Sequence, residues 1–549
     1  MQYQTPLQHF LRHAQQRPEQ TFLHQPIAGE YRQFTFSETE RQARIIANFL
    51  LSQGYQPGDR IGIIAKNCAH WLIADLAIMM AGMVSVPIYG TAGQSTISYV
   101  VEHSDMRALF VGPLDNYDAL TNTQAENCQT ISLGNDYAIS HPCDFSLDDI
   151  LQSHQPLEQV HQADIDDTMS IVYTSGTTGA PKGAVISYKN LASAGHATME
   201  AISANQHDRV VSYLPLAHIT ERCVIEMTAF EAGFQVYFVQ GLDTFIDNVK
   251  YCQPTFFISV PRLWTKFQAQ ILARISQAKL SFLLALPVVG GLVAKKIRTQ
   301  LGLDQSRVFA SGSAPISVSV LEWFYKLGIP ISEGWGMTET SGFSCGNLPF
   351  ERKLLGTIGR PAQCVEMKLS EQGEVLIKGD AITKAYYKNS KATAEAFDGE
   401  WFKTGDKGKQ DDNGAYQIIG RIKEQFKTAK GKYVVPVPIE RMLAKNVQIE
   451  QVCVIGYGRP QPVALVVLSE GIDVNHGNVK QSLQQTLAEV NSELESHQRL
   501  DYLYVCKEGW TVENELLTPT LKLKRNQIEE AYTAKLPEKS ADKVVVEAQ

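Results

Sequence analysis

The stretch MSIVYTSGTTGAPKG, residues 169–183, decides the fold of this chain. Met169 to Tyr173 is an apolar run of β-forming type, the next residues are rich in hydroxyls and glycine, and a second β-type run, Ala184 to Ser187, follows. The pattern reads as a strand, a loop and another strand. Gly176, Gly179 and Gly183 let backbone N–H groups turn toward an anion, Thr174, Ser175, Thr177 and Thr178 add hydroxyl donors, and Lys182 adds positive charge. A polyphosphate suits that set. The spacing is not G-x-x-x-x-G-K-[ST], because Pro181 stands where its second Gly belongs and Gly183 where its metal-binding hydroxyl belongs. A flexible hairpin also uses Gly and Ser for conformation alone, so the assignment depends on what else the chain carries.

The rest of the composition narrows the class. With 549 residues and 44% apolar residues the chain is a globular protein large enough for more than one domain. A formal charge of -8 argues against a nucleic-acid partner, which calls for a basic surface. The nine cysteines are scattered and form no C-x-x-C pair, so neither a disulfide framework nor a zinc site is indicated and a reducing compartment is expected. The first twenty residues lack the apolar core of a signal peptide. A cytoplasmic protein is the expectation.

Outward from the loop, helix and strand alternate. Ser37 and Glu40 form a capping-box pattern ahead of an apolar stripe that Gly54 stops, which predicts a helix over 37–54. A strand over 60–65, an apolar helix over 70–81 and a strand over 83–88 follow, as in layered α/β domains. Residues 115–164 are polar and aperiodic and read as surface loops with short elements. Further strands are expected at 209–214, 235–239, 256–260 and 307–311. Residues 280–294 are uncharged and apolar but too short to span a bilayer. Two readings stay open there: a buried or partner-covered helix pair, or a patch that touches a membrane beside Lys295, Lys296 and Arg298.

Several later segments carry chemistry. SYLPLAHITER at 212–222 puts His218 just beyond a predicted strand, although a lone His is more often structural. SGSAPIS at 311–317 ends a strand with small residues that let a flat ring approach the backbone. EGWGMTETSG at 333–342 combines an aromatic, hydroxyls and Glu339, a set suited to a stacked base and to a Mg²⁺ shared with phosphates. WFKTGDKG at 401–408 presents Asp406, able to accept from two ribose hydroxyls, and YQIIGRIKE at 416–424 carries Arg421 and Glu424. For Asp406 and Arg421 the plain alternative is a solvated ion pair.

Taken in order, TSGTTGAPKG, LPLAH, SGSAP, WGMTET, KTGD, GRIKE and the late lysine of LTPTLKLKR resemble the adenylate-forming (AMP-binding) superfamily from about Tyr31 to Arg525. VPIYGT at 86–91, SVPRLW at 259–264 and EQFKTAKGKYVVPVPIE at 424–440 look most like its long-chain fatty acyl-CoA synthetases. The resemblance implies an α/β fold with a large layered N-terminal domain of mixed sheets, residues 1–420, and a small mobile α+β lid, residues 421–549.

It also implies site residues. Thr174 and Glu339 would hold Mg²⁺, with Ser175, Gly176, Thr177, Thr178, Gly179 and Lys182 on the phosphates of ATP. Gly312, Ser313, Ala314 and Pro315 would meet the adenine together with Trp335, Gly336, Met337 and Thr338. Asp406 and Arg421 would hold the ribose, Glu424 would be the hinge and Gly431 would border CoA. Lys522, with Lys524 as the alternative, would be the adenylation lysine, and His218 joins the catalytic set. The implied reaction joins a fatty acid to CoA through an acyl-AMP intermediate with release of pyrophosphate. An acyl-AMP ligase serving a carrier protein and a nucleotide-binding sensor without turnover are the other readings, and peripheral membrane contact is compatible with the first.

Overall fold

The computed structural model describes residues 3–121, 128–174, 181–241, 243–512, 514–518 and 522–547. Within these, the largest sheet has eight strands in the order Ala385–Tyr386, Lys182–Ser187, Thr168–Thr174, Val84–Tyr89, Arg60–Ala65, Met106–Val111, Gln129–Ser132 and Phe145–Ser146. From Thr168–Thr174 to Phe145–Ser146 neighbouring strands run parallel. Ile61, Ile63, Ile64, Val86 and Ile88 are all buried, as befits parallel strands covered on both faces. The two strands beyond Thr168–Thr174 are antiparallel additions.

The helix Ala69–Met80 is buried along its whole length, which explains why its sequence is apolar on every side. The preceding helix runs over Phe36–Ser52 and is capped by Thr35, whose side chain accepts from the Glu38 N–H, not by Ser37. The difference has a packing cause: Phe36 is fully buried and so belongs to the first turn, with Thr35 closing the strand Glu30–Thr35. Residues 115–164 do more than wrap the surface. They contribute Gln129–Ser132 and Phe145–Ser146 to the large sheet and a helix, Leu147–Ser153.

A second sheet pairs Phe256–Ser259, Val308–Ser311 and Ile331–Trp335 in parallel and ends in the antiparallel strands Cys345–Gly346 and Arg360–Pro361. A third joins Arg209–Ser212, Gln235–Phe238, Thr21–Ile27 and Glu30–Thr35. A fourth carries Trp401–Gln410 against Tyr416–Arg421.

After Arg421 the chain builds a separate small α+β domain. The strands Ile449–Ile455, Val463–Leu468, Leu503–Cys506 and Val544–Val546 form its sheet, and the helices Pro436–Leu443 and Val479–Glu493 pack on it. Its cores begin at Phe426, and those of the preceding domain end at Ile418. Among the described residues, no helix is long and apolar enough to cross a membrane. The apolar stretch 280–294 is split between two helices, Gln277–Ala285 and Val289–Leu301. It is not a buried pair throughout: Leu280 and Ala294 are buried, whereas Phe282, Val288 and Leu292 are exposed.

Candidate active site

The strands Thr168–Thr174 and Lys182–Ser187 form the hairpin that carries the glycine-rich loop, with Thr174 directly opposite Lys182. The Thr174 hydroxyl donates to the Lys182 carbonyl over 3.3 Å. Gly183 is required there, because a Cβ would come within 2.7 Å of Ile171 Cγ2 and 3.2 Å of the Tyr173 ring. Of the expected phosphate contacts, Ser175, Gly176, Thr177, Thr178 and Gly179 lie outside the described residues.

The third strand of this corner, Ala385–Tyr386, aligns Tyr386 with Ala184. Its phenol donates to Glu339 Oε1 over 2.7 Å, and the Lys182 ammonium lies 4.9 Å from the centre of the ring. Burial first and the Glu339 carboxylate second push the Tyr386 phenol far above its ordinary pKa, so it stays a hydrogen donor. Glu339 is itself buried and sits on the short turn Thr338–Thr340. Hydroxyl, carboxylate and ammonium thus meet at one sheet edge. No motif points to Tyr386; the nearest signal is the tyrosine pair Tyr386 and Tyr387 at the end of AITKAYY, residues 381–387.

Opposite lies a second polar group. The Trp335 indole N–H donates to Asp406 Oδ2 over 3.0 Å, and Arg421 Nε meets Asp406 Oδ1 at 2.8 Å. The strand register sets this geometry, since Asp406 and Arg421 are direct cross-strand partners. The Asp406 side chain is 5% exposed against 41% for Arg421, which removes the plain surface pair from consideration for Asp406. Burial raises the Asp406 pKa, against the pull of the Arg421 guanidinium. Each carboxylate oxygen keeps a further lone pair for another donor.

The Gly312–Pro315 loop leaves the end of Val308–Ser311 with Ser313 at φ 66 and with Ser313, Ala314 and Pro315 exposed. Gly312 runs against Gly334, whose carbonyl oxygen would lie 3.3 Å from an added Cβ. Gly336 has still less room, with the Gly342 oxygen 1.9 Å from where a Cβ would stand. Met337 and Thr338 follow in the turn that carries Glu339, where the Met337 N–H donates to Thr340 Oγ1 over 2.9 Å.

His218 caps a short helical turn, its Nδ1 accepting from the Thr220 N–H at 3.2 Å. Burial, and then the Lys522 ammonium, push its pKa down to about 3, so the ring is neutral with its proton on Nε2. The loop that presents it is held by residues the sequence did not reveal. Asn67 donates to the Leu214 carbonyl over 2.6 Å and accepts from the Leu216 N–H over 2.9 Å. Ser212 donates to Glu221 over 2.8 Å, and burial pushes the Glu221 carboxyl up to about 8. Beyond it, fully buried Arg222 bridges Asp75 at 2.6 Å and Glu226 at 3.3 Å and opens a π-helical segment, Arg222–Met227.

The small domain contributes Lys522. Its backbone N–H donates to Thr518 Oγ1 over 3.1 Å, and its ammonium stands among Arg421, Asp406, Glu339 and Glu424. Burial first and Arg421 second lower its pKa, while the three carboxylates oppose that shift. The side chain nevertheless remains accessible to solvent, the condition of a group lining a cleft between two domains. Lys524 has another place, at the N-cap of the helix Arg525–Thr533, with its N–H on the Leu516 carbonyl at 3.0 Å. Glu424 lies 3.8 Å from Arg525, which is paired with Glu440 at 2.6 Å. Gly431 is not gathered into this group: it forms an exposed turn at φ 75, and an added Cβ would meet only Lys427 Cε, at 3.8 Å.

Comparison with known proteins places these residues in a family. The AMP-binding enzyme profile matches residues 10–387, and that of the AMP-binding enzyme C-terminal domain matches residues 423–539. Long chain acyl-CoA synthetase 7, peroxisomal, of Arabidopsis thaliana is 31% identical over 92% of this chain and 81% of its own length. The long-chain-fatty-acid–CoA ligase FadD15 of Mycobacterium tuberculosis is 28% identical over 95% of this chain and 94% of its own. In fold, the anthranilate CoA ligase AuaEII, solved with anthranoyl-AMP, superposes with a TM-score of 0.80 at 20% identity over 97% of this chain and 98% of that one. With the strand–loop–strand hairpin, Glu339 and Tyr386 all inside one matched segment and the Lys522 domain inside the other, the chain belongs to the AMP-binding enzyme family, among its acyl-CoA synthetases.

Proposed function

We propose that this enzyme activates a long-chain fatty acid with ATP and transfers the acyl group to CoA. One observation carries the reading: a lysine from the small domain, Lys522, faces Glu339 and the Asp406–Arg421 pair of the large domain. The relatives named as long-chain acyl-CoA synthetases support the choice of acid.

In the first step a carboxylate oxygen of the acid attacks the α-phosphorus of ATP and pyrophosphate leaves. The acid is already ionised near neutral pH, so no general base is needed. The protein's task is to orient the reactants and to balance charge on the phosphates. Lys182 and Lys522 supply fixed cations, and neutral His218 offers its Nε2–H to a carboxylate oxygen. Asp406 and Arg421 take the ribose, and Trp335 with Gly312–Pro315 takes the adenine. Thr174 and Glu339 offer a hydroxyl and a carboxylate, a donor set that fits a Mg²⁺ drawing its other oxygens from phosphates. When bound, that ion supplies positive charge to the phosphate oxygens. In the second step the CoA sulfur attacks the acyl carbonyl, AMP leaves, and the thiol proton passes to solvent. Glu424 would mark the hinge between the two steps, with Gly431 bordering CoA in the second. The scattered cysteines of the sequence, with no C-x-x-C pair, are what support a reducing, cytoplasmic setting.

ATP-dependent thioester formation with a panel of acids from acetate to long-chain, with benzoate and amino acids included, tests the proposal. Each methylene buried adds roughly 0.8 kcal/mol, so several carbons should separate the rates by orders of magnitude. A maximum at acetate or at an aromatic acid would overturn it.

A further inference from the structure

The helices Gln277–Ala285 and Val289–Leu301 form a hairpin with two unlike ends. At its base Leu280, Ile297 and Leu301 are buried in the cluster that includes Phe257 and Phe309 of the second sheet and Trp264 of the helix Pro261–Arg274. The helices touch backbone to backbone near the tip, where a Cβ on Gly290 would meet the Leu284 oxygen at 2.5 Å. The tip itself presents Phe282, Val288 and Leu292, which are 64%, 81% and 64% exposed. Val288, the most exposed large apolar side chain among the described residues, holds φ 65, a conformation unfavourable for a β-branched residue.

Charge surrounds this tip in a regular way. Lys279 precedes Phe282 by three residues, and Lys295 and Lys296 follow Leu292 by three and four, so in each helix an exposed cation shares a face with an exposed apolar side chain. In both helices the cations lie toward the base. At 1.5 Å rise per residue, Lys296 stands about 6 Å behind Leu292, comparable to the depth to which an interfacial helix sinks its apolar face. Between Asp247 and Asp304 the sequence holds eight Lys and Arg residues and no Asp or Glu, in a protein whose formal net charge is -8.

We propose that this hairpin docks the protein onto an anionic phospholipid bilayer, with Phe282, Val288 and Leu292 entering the acyl boundary and Lys279, Lys295 and Lys296 at the headgroup phosphates. The cationic collar is what selects this partner: an apolar tip alone would suit any hydrophobic surface, whereas lysines set behind it complement a plane of phosphates. The proposal does not depend on acyl-chain preference, and an enzyme that favoured a shorter acid would still bind vesicles.

Flotation of the full chain with vesicles of phosphatidylcholine alone, and of phosphatidylcholine and phosphatidylglycerol in equal parts, tests it. Wild type should float with the anionic vesicles and be released by high salt. The double variant Phe282→Glu, Leu292→Glu should remain at the bottom, and the triple variant Lys279→Ala, Lys295→Ala, Lys296→Ala should bind about a hundredfold more weakly. All five side chains are exposed, and unchanged thermal melting would verify the fold of each variant. No flotation of wild type, equal flotation of the double variant, or equal flotation with phosphatidylcholine alone would overturn the proposal. Self-association of wild type without vesicles, abolished in the double variant, would assign the tip to a second copy and overturn it equally.

Discussion

Tyr386 donates its phenolic hydrogen to Glu339 Oε1 over 2.7 Å, and the Lys182 ammonium lies 4.9 Å from the centre of the same ring. One aromatic side chain therefore touches both groups proposed to handle phosphate charge. Its hydroxyl orients the carboxylate, and its face lies beside the cation. The strand Ala385–Tyr386 has a reason to pair with Lys182–Ser187 beyond extending the sheet.

Tyr386→Phe should keep the ring and lose the donor. A hydrogen bond to a charged acceptor contributes about 1.5–3 kcal/mol, so adenylation measured as pyrophosphate release should fall by roughly ten- to a hundredfold. Thermal melting should change little. Wild-type adenylation in the variant, with the fold intact, would show that Glu339 needs no such orientation.

Lys522 and Lys524, the two candidates for the adenylation lysine, can be told apart by half-reaction. Lys522→Ala should slow acyl-adenylate formation by about 10² to 10³, the loss expected for one preorganised donor at a charged transition state, and should spare thioester formation from supplied acyl adenylate. Lys524→Ala, at a helix cap, should leave both steps within a few-fold of wild type. Single-turnover assays of the two steps decide; a larger adenylation loss in Lys524→Ala would reverse the assignment.

Glu333 of the large domain is buried, accepts from the Gly356 N–H at 2.9 Å and faces Arg441 of the small domain. Burial pushes its pKa up to about 7, against the pull of Arg441. A carboxyl whose folded pKa is raised binds more protons folded than unfolded, so its contribution is fully present below its unfolded pKa of about 4.3 and is lost as pH rises through about 7. Melting temperatures of wild type and Glu333→Gln should accordingly agree near pH 4, and the variant should melt higher near pH 8. A constant difference across that range would show that Glu333 does not titrate there.

The sequence by itself determined whatever depends on neighbours along the chain. The hairpin around Met169 to Ser187, the buried helix Ala69–Met80 and the strand Arg60–Ala65 all follow from local periodicity, β-branching and glycine placement, and the order of short motifs was enough to place the chain among its relatives. The start of the helix Phe36–Ser52 was misread by one local rule, because Ser37 and Glu40 satisfy a capping pattern as well as Thr35 does and only the burial of Phe36 chooses between them. Tertiary structure alone decided the pairings that make a site. Glu339 meets Tyr386 across 47 residues of sequence, and Asp75, a misplaced charge in an apolar helix when read locally, finds Arg222 across 147. Lys522 reaches Asp406 only because two domains close on one cleft. Periodicity records which face of an element is apolar. It carries no record of which distant polar group will satisfy a buried charge, since that partner is chosen by the cost of desolvating both groups together once the chain is packed.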